Sequence, residues 1–349
     1  MTGISMKTSR IAALALFVFI TACAPKTGFV CSHPEWEKGY AVQGMDIYGD
    51  YLVQGHNQGV LSIYRFNGKS LKLLGEFPLE SVHKHNHCNV VSIGADFYAP
   101  GDPLPLVYIS QAAKTPVEKY KDVCYVERVM PDLQSSAKVQ TIAYDDANSD
   151  FGYALQWVVD RDNYFLYGYG NTTRDRDVEG NRHRIIKFAL PALDSAYVVL
   201  KPEDAIENYL IEDSGFSFAT IGQGLFIKEG RLYMPTGFGT PEFPSQLYVW
   251  NLESREMEEA LDIGTVTTGE PEDAGWYKGH LIVSGVDGIF VLPELSSLPG
   301  LEGDRRKALP VHRNNSGKES RRLRLSYLGR LNKRTRHGNP CLLRNSLKE

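Results

Sequence analysis

Gln43-Gly44-Met45-Asp46-Ile47-Tyr48-Gly49-Asp50-Tyr51-Leu52-Val53-Gln54-Gly55, with the strand-like segments between Gly59 and Phe77 behind it, is the stretch from which the fold can be read. A polar residue opens it, a short strand-like run follows, Gly-Asp marks a tight turn, and two further runs rich in Leu, Ile and Tyr complete it. The same order returns at Asn89–Ser110 with Asp122–Tyr144, and at Gln156–Gly170 with His183–Leu200. It returns again at Gln223–Gly237 with Ser245–Gly264, and at Glu272–Gly285 with Gly288–Leu295. The five openers, Gln43, Asn89, Gln156, Gln223 and Glu272, stand 46, 67, 67 and 49 residues apart. Antiparallel strands repeating at this period predict an all-β chain built as a β-propeller of five blades over residues 40–299. The two 67-residue units leave room for a sixth blade, and a β-sandwich would show similar strands. The last unit shows only two clear strands, so the ring calls for a closing strand. Residues 23–39 form a linker, and the segment Gly28 to Tyr40 can supply that strand. Helical periodicity is absent here, apart from a turn near Pro202 to Asn208.

Composition sharpens the domain limits. The chain has 349 residues, 38 Lys+Arg against 42 Asp+Glu, and a formal net charge of −4. That balance argues against a nucleic-acid partner. It hides a split, because residues 301–349 hold 14 basic against 4 acidic side chains and a single aromatic, Tyr327, whereas residues 1–300 hold 24 against 38. Residues 300–349 also lack the repeat. This basic tail is expected to be disordered, or the product of an out-of-frame gene end, although such a charge run could also meet anionic lipid.

The first residues read as an address. Met6-Lys7-Thr8-Ser9-Arg10 is basic, and Ile11–Ile20 is an apolar run of ten residues, too short to span a bilayer as a helix. Ile20-Thr21-Ala22-Cys23 resembles the lipobox of bacterial lipoproteins. The resemblance implies a signal peptide over residues 1–22, cleavage before Cys23, and acyl chains on Cys23 that hold the protein to a membrane. Ala24 stands where Asp would mark inner-membrane retention, so the expected location is the bacterial cell envelope, at the outer membrane. An oxidising compartment permits a disulfide, and Cys88–Cys124 and Cys31–Cys88 are both open.

A second resemblance rests on several short motifs. They are Gln43-Gly44-Met45, His87 with Asn89, Pro105–Ser110, Cys124-Tyr125-Val126, Val139–Ile142 and Glu270-Pro271-Glu272. Together they are similar to the propeller shared by teichoic-acid-biosynthesis-C-like proteins and receptor-binding proteins of some phages. That resemblance covers residues 40–295 and implies a five-bladed platform that engages cell-wall glycopolymer.

In a propeller the innermost strands line a central channel. Gln43, Asn89, Gln156, Gln223 and Glu272 are therefore expected to ring one mouth, where amides and a carboxylate suit a polyhydroxylated ligand or a cation. The same ring could simply hold channel waters. His83, His85 and His87 would share one face of an extended segment and could bind a divalent metal. His87 is the best placed of them for ligand binding, beside the ring. Glu270 and Glu272, with Asp46 or Asp160, are the carboxylates that acid–base chemistry would need. Trp157, Trp276 and Tyr277 could stack on sugar rings or simply pack the blades. There is no Gly-rich phosphate loop, nucleophile elbow or CxxC pair, and no cofactor is expected. The first expectation is thus a binding or interaction module, for glycan or a protein partner. The alternative is a carbohydrate-active or other hydrolytic enzyme at the channel mouth.

Overall fold

The computed structural model describes residues 29–31, 40–112, 116, 119–175, 178, 180–211 and 222–295. The expected signal peptide, Cys23 and the basic tail lie outside the described residues. The chain's first described strand is β1 (Phe29–Cys31). Blade one follows as β2 (Val42–Tyr48), β3 (Tyr51–His56), β4 (Val60–Phe66) and β5 (Leu71–Pro78). Blade two is β6 (Val90–Ile93), β7 (Val107–Ser110), β8 (Asp122–Val129) and β9 (Ser136–Tyr144). Blade three holds β10 (Gln156–Asp160), β11 (Phe165–Asn171) and β12 (His183–Ala189), then β13 (Tyr197–Leu200) leaves it, and β14 (Glu207–Leu210) returns to it. Blade four is β15 (Phe226–Lys228), β16 (Arg231–Thr236), β17 (Gln246–Asn251) and β18 (Glu256–Asp262). Blade five is β19 (Pro271–Tyr277), β20 (His280–Gly285) and β21 (Gly288–Val291), with β1 antiparallel on its outer edge, Phe29 opposite Phe290. Five sheets make a five-bladed propeller, and the room seen for a sixth blade goes instead to loops and to β13.

Strands form here because β-branched and aromatic residues fill them, and tight hairpins separate them. Glu229-Gly230 and Lys278-Gly279 have positive φ at both central positions (52° and 73°, 47° and 88°), the geometry whose twist matches antiparallel strands. The inner strands are buried on both faces, since each blade is packed between two neighbours. Five apolar cores fill the five junctions. Val53, Leu61, Val91 and Ile109 pack between blades one and two, Cys124, Trp157 and Phe188 between two and three, and Tyr169, Met234 and Trp250 between three and four. Leu247, Val249 and Phe290 fill the fourth junction, and Met45, Phe66 and Tyr277 close the ring between blades five and one. Trp157 and Tyr277 therefore belong to the packing rather than to a sugar platform, and Trp276 packs at the edge of the fourth core.

Two local expectations are corrected. Cys88 and Cys124 are buried free thiols, because Cys88 faces the core on one side of blade two and Cys124 the core on the other. No bridge therefore joins Cys88 to Cys124 or to Cys31. Ser81–Asn89 is not extended but turned, with Asn86 N–H donating to the His83 carbonyl at 2.8 Å. The His83 and His85 rings meet at a tilt of 47° with centroids 5.2 Å apart, but the extended segment that would line up three imidazoles is not formed.

Candidate functional site

Inner strands carry hydrogen bonds from blade to blade in the middle of the channel. Met45 N–H of blade one donates to Asp273 of blade five at 2.8 Å, and Ile93 N–H of blade two donates to Asp46 of blade one at 2.7 Å. Val159 N–H of blade three donates to Ser92 of blade two at 3.0 Å. Arg161 caps this region with an ion pair to Asp46. The approach demands glycine next to the openers. A Cβ on Gly44 would lie 2.3 Å from the Val91 nitrogen, and one on Gly224 would lie 2.2 Å from Asp273 Oδ1 and 2.5 Å from the Glu272 carbonyl oxygen.

Above this layer a cavity of about 480 Å³ opens at the end where the inner strands start. That volume falls in the range of small-ligand sites. Its walls include Asn57, Gln58, His85, His87, Asn89, Gln156, Gln223, Phe238 and Glu270. Three openers meet here. Asn89 Nδ2 and Gln156 Nε2 (2.6 Å) both donate to the main-chain oxygen of Gln223, whose own amide donates to Glu270 Oε1 at 2.6 Å and to the Gly237 oxygen at 2.8 Å. Gln43 and Glu272 are buried beneath and do not line the cavity. Gln43 instead turns back on the Val42 oxygen at 2.6 Å. Of the imidazoles, His85 and His87 reach the wall and His83 does not. Among the described residues, no three His, Cys, Asp or Glu side chains are grouped to hold a metal.

One side of the mouth is polar and unsatisfied. Gln156 is 7% exposed, and its Oε1 has no hydrogen-bond partner. Buried Tyr169 OH and Asn171 Nδ2 on the second strand of blade three, and Thr236 Oγ1 on the second strand of blade four, are in the same state, although of the four only Gln156 lines the cavity. Gln156 pairs with Tyr169 in the ladder, and Gly222, bridged to Thr236, sits against both side chains. Buried polar atoms without partners cost stability, so such a cluster beside a cavity marks a place for donors and acceptors from a ligand or water. The opposite electrostatic situation holds at Glu272. Burial, and then the charges of Glu270 and Asp273, push its carboxyl well above the ordinary value of 4.5. Burial likewise raises Asp273, against the N–H donors of Met45 and Ala274.

The openers are legible in the sequence because each stands at the start of an inner strand. Asn57, Gln58 and Phe238 come from loops and carry no such signal, and the unsatisfied Tyr169, Asn171 and Thr236 behind the wall belong to second strands and read as ordinary blade residues.

No family model matches the chain, and no curated protein sequence matches it. Among solved structures, it is similar to the glutaminyl cyclase of Myxococcus xanthus, at 12% identity and a TM-score of 0.42, over 73% of this chain and 92% of that one. It is also similar to the computationally designed Ika8 protein, at 8% identity and a TM-score of 0.32, over 76% of this chain and all of that one. Likenesses at this level carry no activity across.

Proposed function

We propose that this propeller is a binding module that takes a neutral, polyhydroxylated ligand, a glycan, in the cavity at the channel mouth, and that acyl chains on Cys23 hold it at the bacterial envelope. The observation that carries the reading is the amide wall of the cavity. Asn57, Gln58, Asn89, Gln156 and Gln223 line it, and Gln156 Oε1 is a buried acceptor without a partner, with Tyr169 OH unsatisfied behind it. Sugar hydroxyls, each both donor and acceptor, complement such a wall. The resemblance to phage and teichoic-acid propellers points to cell-wall glycopolymer. The excess of acid over base in residues 1–300 favours a neutral glycan over an anionic polymer. The enzyme alternative asks for two carboxylates facing each other across the cavity, and among its described lining residues only Glu270 carries one.

A glycan array carrying neutral and anionic oligosaccharides, probed with the purified protein, tests the ligand. Binding to neutral glycans that fades in Gln156→Ala supports the proposal. An array without a neutral hit overturns it. For the anchor, metabolic labelling with an alkyne fatty acid should mark the wild type and leave Cys23→Ala unmarked. A labelled, membrane-bound Cys23→Ala protein would remove the lipobox reading.

A further inference from the structure

The two ends of the propeller differ, and β1 starts toward only one of them. Phe29 of β1 lies opposite Phe290, Phe290 opposite Val283, and Val283 opposite Ala274. Cys31 lies one step nearer the cavity end, opposite Ile289, so Phe29 is the end of β1 nearer the Tyr277–His280 turn, on the face opposite the cavity. Ala274 is three residues short of Tyr277, about 10 Å along a strand. Six residue steps separate Cys23 from Phe29, a reach of at most about 20 Å. A lipid on Cys23 is therefore tethered within a short distance of that face.

The same face carries an aromatic patch. Phe97 and Tyr98 belong to the β6–β7 loop and Tyr164 to the β10–β11 turn, and they are 44%, 50% and 51% exposed. The patch is built across blades: Tyr164 OH donates to Asp96 at 3.2 Å, and Phe97 meets Tyr48 edge to face at 5.9 Å. Tyr164 holds its position at a φ of 59°, an uncommon conformation for a bulky side chain. Exposed aromatic rings, two of them with the polar tip of a tyrosine, suit the boundary between lipid headgroups and acyl chains.

We propose that the face bearing Phe97, Tyr98 and Tyr164 lies against the lipid bilayer in the acylated protein, with the cavity mouth turned away from it. This rests on the reading of Cys23 as the anchor and adds the direction in which the site is presented. A short tether limits how far the propeller can roll, and the patch fixes which side rests on the lipid.

The test uses the full chain, expressed with its own leader and reconstituted in phosphatidylethanolamine/phosphatidylglycerol vesicles. In a Cys31→Ser, Cys341→Ser background, a fluorescent label is placed at Tyr98→Cys, at Tyr164→Cys, or at Val82→Cys. Val82 is 51% exposed at the cavity end and serves as the control. Quenching by nitroxide-bearing lipids is then measured, with the intact mass of each sample recorded. The expected result is an acylated mass and quenching at positions 98 and 164 several-fold above that at 82. An acylated protein with equal quenching at all three, or with stronger quenching at 82, overturns the orientation while leaving the anchor standing. A mass without acyl chains overturns the anchor and the orientation together.

Discussion

Asp46 and Glu272 both lie on inner strands, both are buried, and they do opposite things. Asp46 sits mid-channel, where Ile93 N–H, Ile47 N–H and Arg161 all donate to it. Burial pushes its carboxyl up, and these partners pull it down. Glu272 is buried beneath the cavity, near Glu270, with burial and two neighbouring carboxylates pushing in one direction. The middle of the channel thus spends its polar groups on joining blades, and the mouth leaves them available. The same contrast separates Ser92, which accepts from Val159 N–H, from Gln156, whose oxygen accepts nothing.

The largest expected effect comes from breaking the middle. Gly44→Ala would drive a Cβ into the backbone of Val91, so blades one and two must part, at about 3 kcal/mol. Urea unfolding should show a midpoint well below wild type, and an unchanged midpoint would mean the blades are not held this closely. Asp46→Ala comes next. It leaves two buried N–H groups and a partly exposed guanidinium without their acceptor, at about 2 kcal/mol by the same measurement.

The buried carboxyl beneath the mouth should answer to pH instead. Glu272 has a folded pKa above its unfolded one, so the folded chain holds that proton more tightly. Its contribution is full below the unfolded value of 4.5 and is lost as pH rises from there through the folded value. Asp273 has the same sign. Glu272→Gln should therefore flatten the fall of stability with rising pH and raise the thermal midpoint most at the alkaline end. A variant whose stability runs parallel to wild type at every pH would show that this carboxyl is not the one out of balance.

These contrasts were unequally legible in the sequence. Gln43, Gln156 and Gln223 announce themselves, because each opens a strand at a repeat distance, and the Gly after two of them is forced by the neighbouring blade. The role of Asp46 as a link between blades depends on Ile93 and Arg161, 47 and 115 residues away, and no local pattern reveals it. β13 misleads for the same reason. Tyr197–Leu200 follows blade three in sequence, yet pairs in parallel with Thr141–Tyr144 of blade two, a choice made by an open sheet edge rather than by its own residues. The histidines misled differently. Their alternation suggested a strand, but Asn86 is buried and donates to the Ser81 carbonyl at 3.1 Å, which holds the segment in a turn.

The smallest effect on stability, and the most informative, belongs to Gln156→Ala. It removes one amide contact to the Gln223 oxygen and an oxygen that accepts nothing, so the unfolding free energy should move by about 1 kcal/mol or less. Calorimetric titration of the strongest neutral array ligand into wild type and Gln156→Ala then tests the claim that the mouth is the binding site. Binding in the variant should be roughly tenfold weaker with the fold intact. Equal affinity in the two proteins would place the site elsewhere on the propeller.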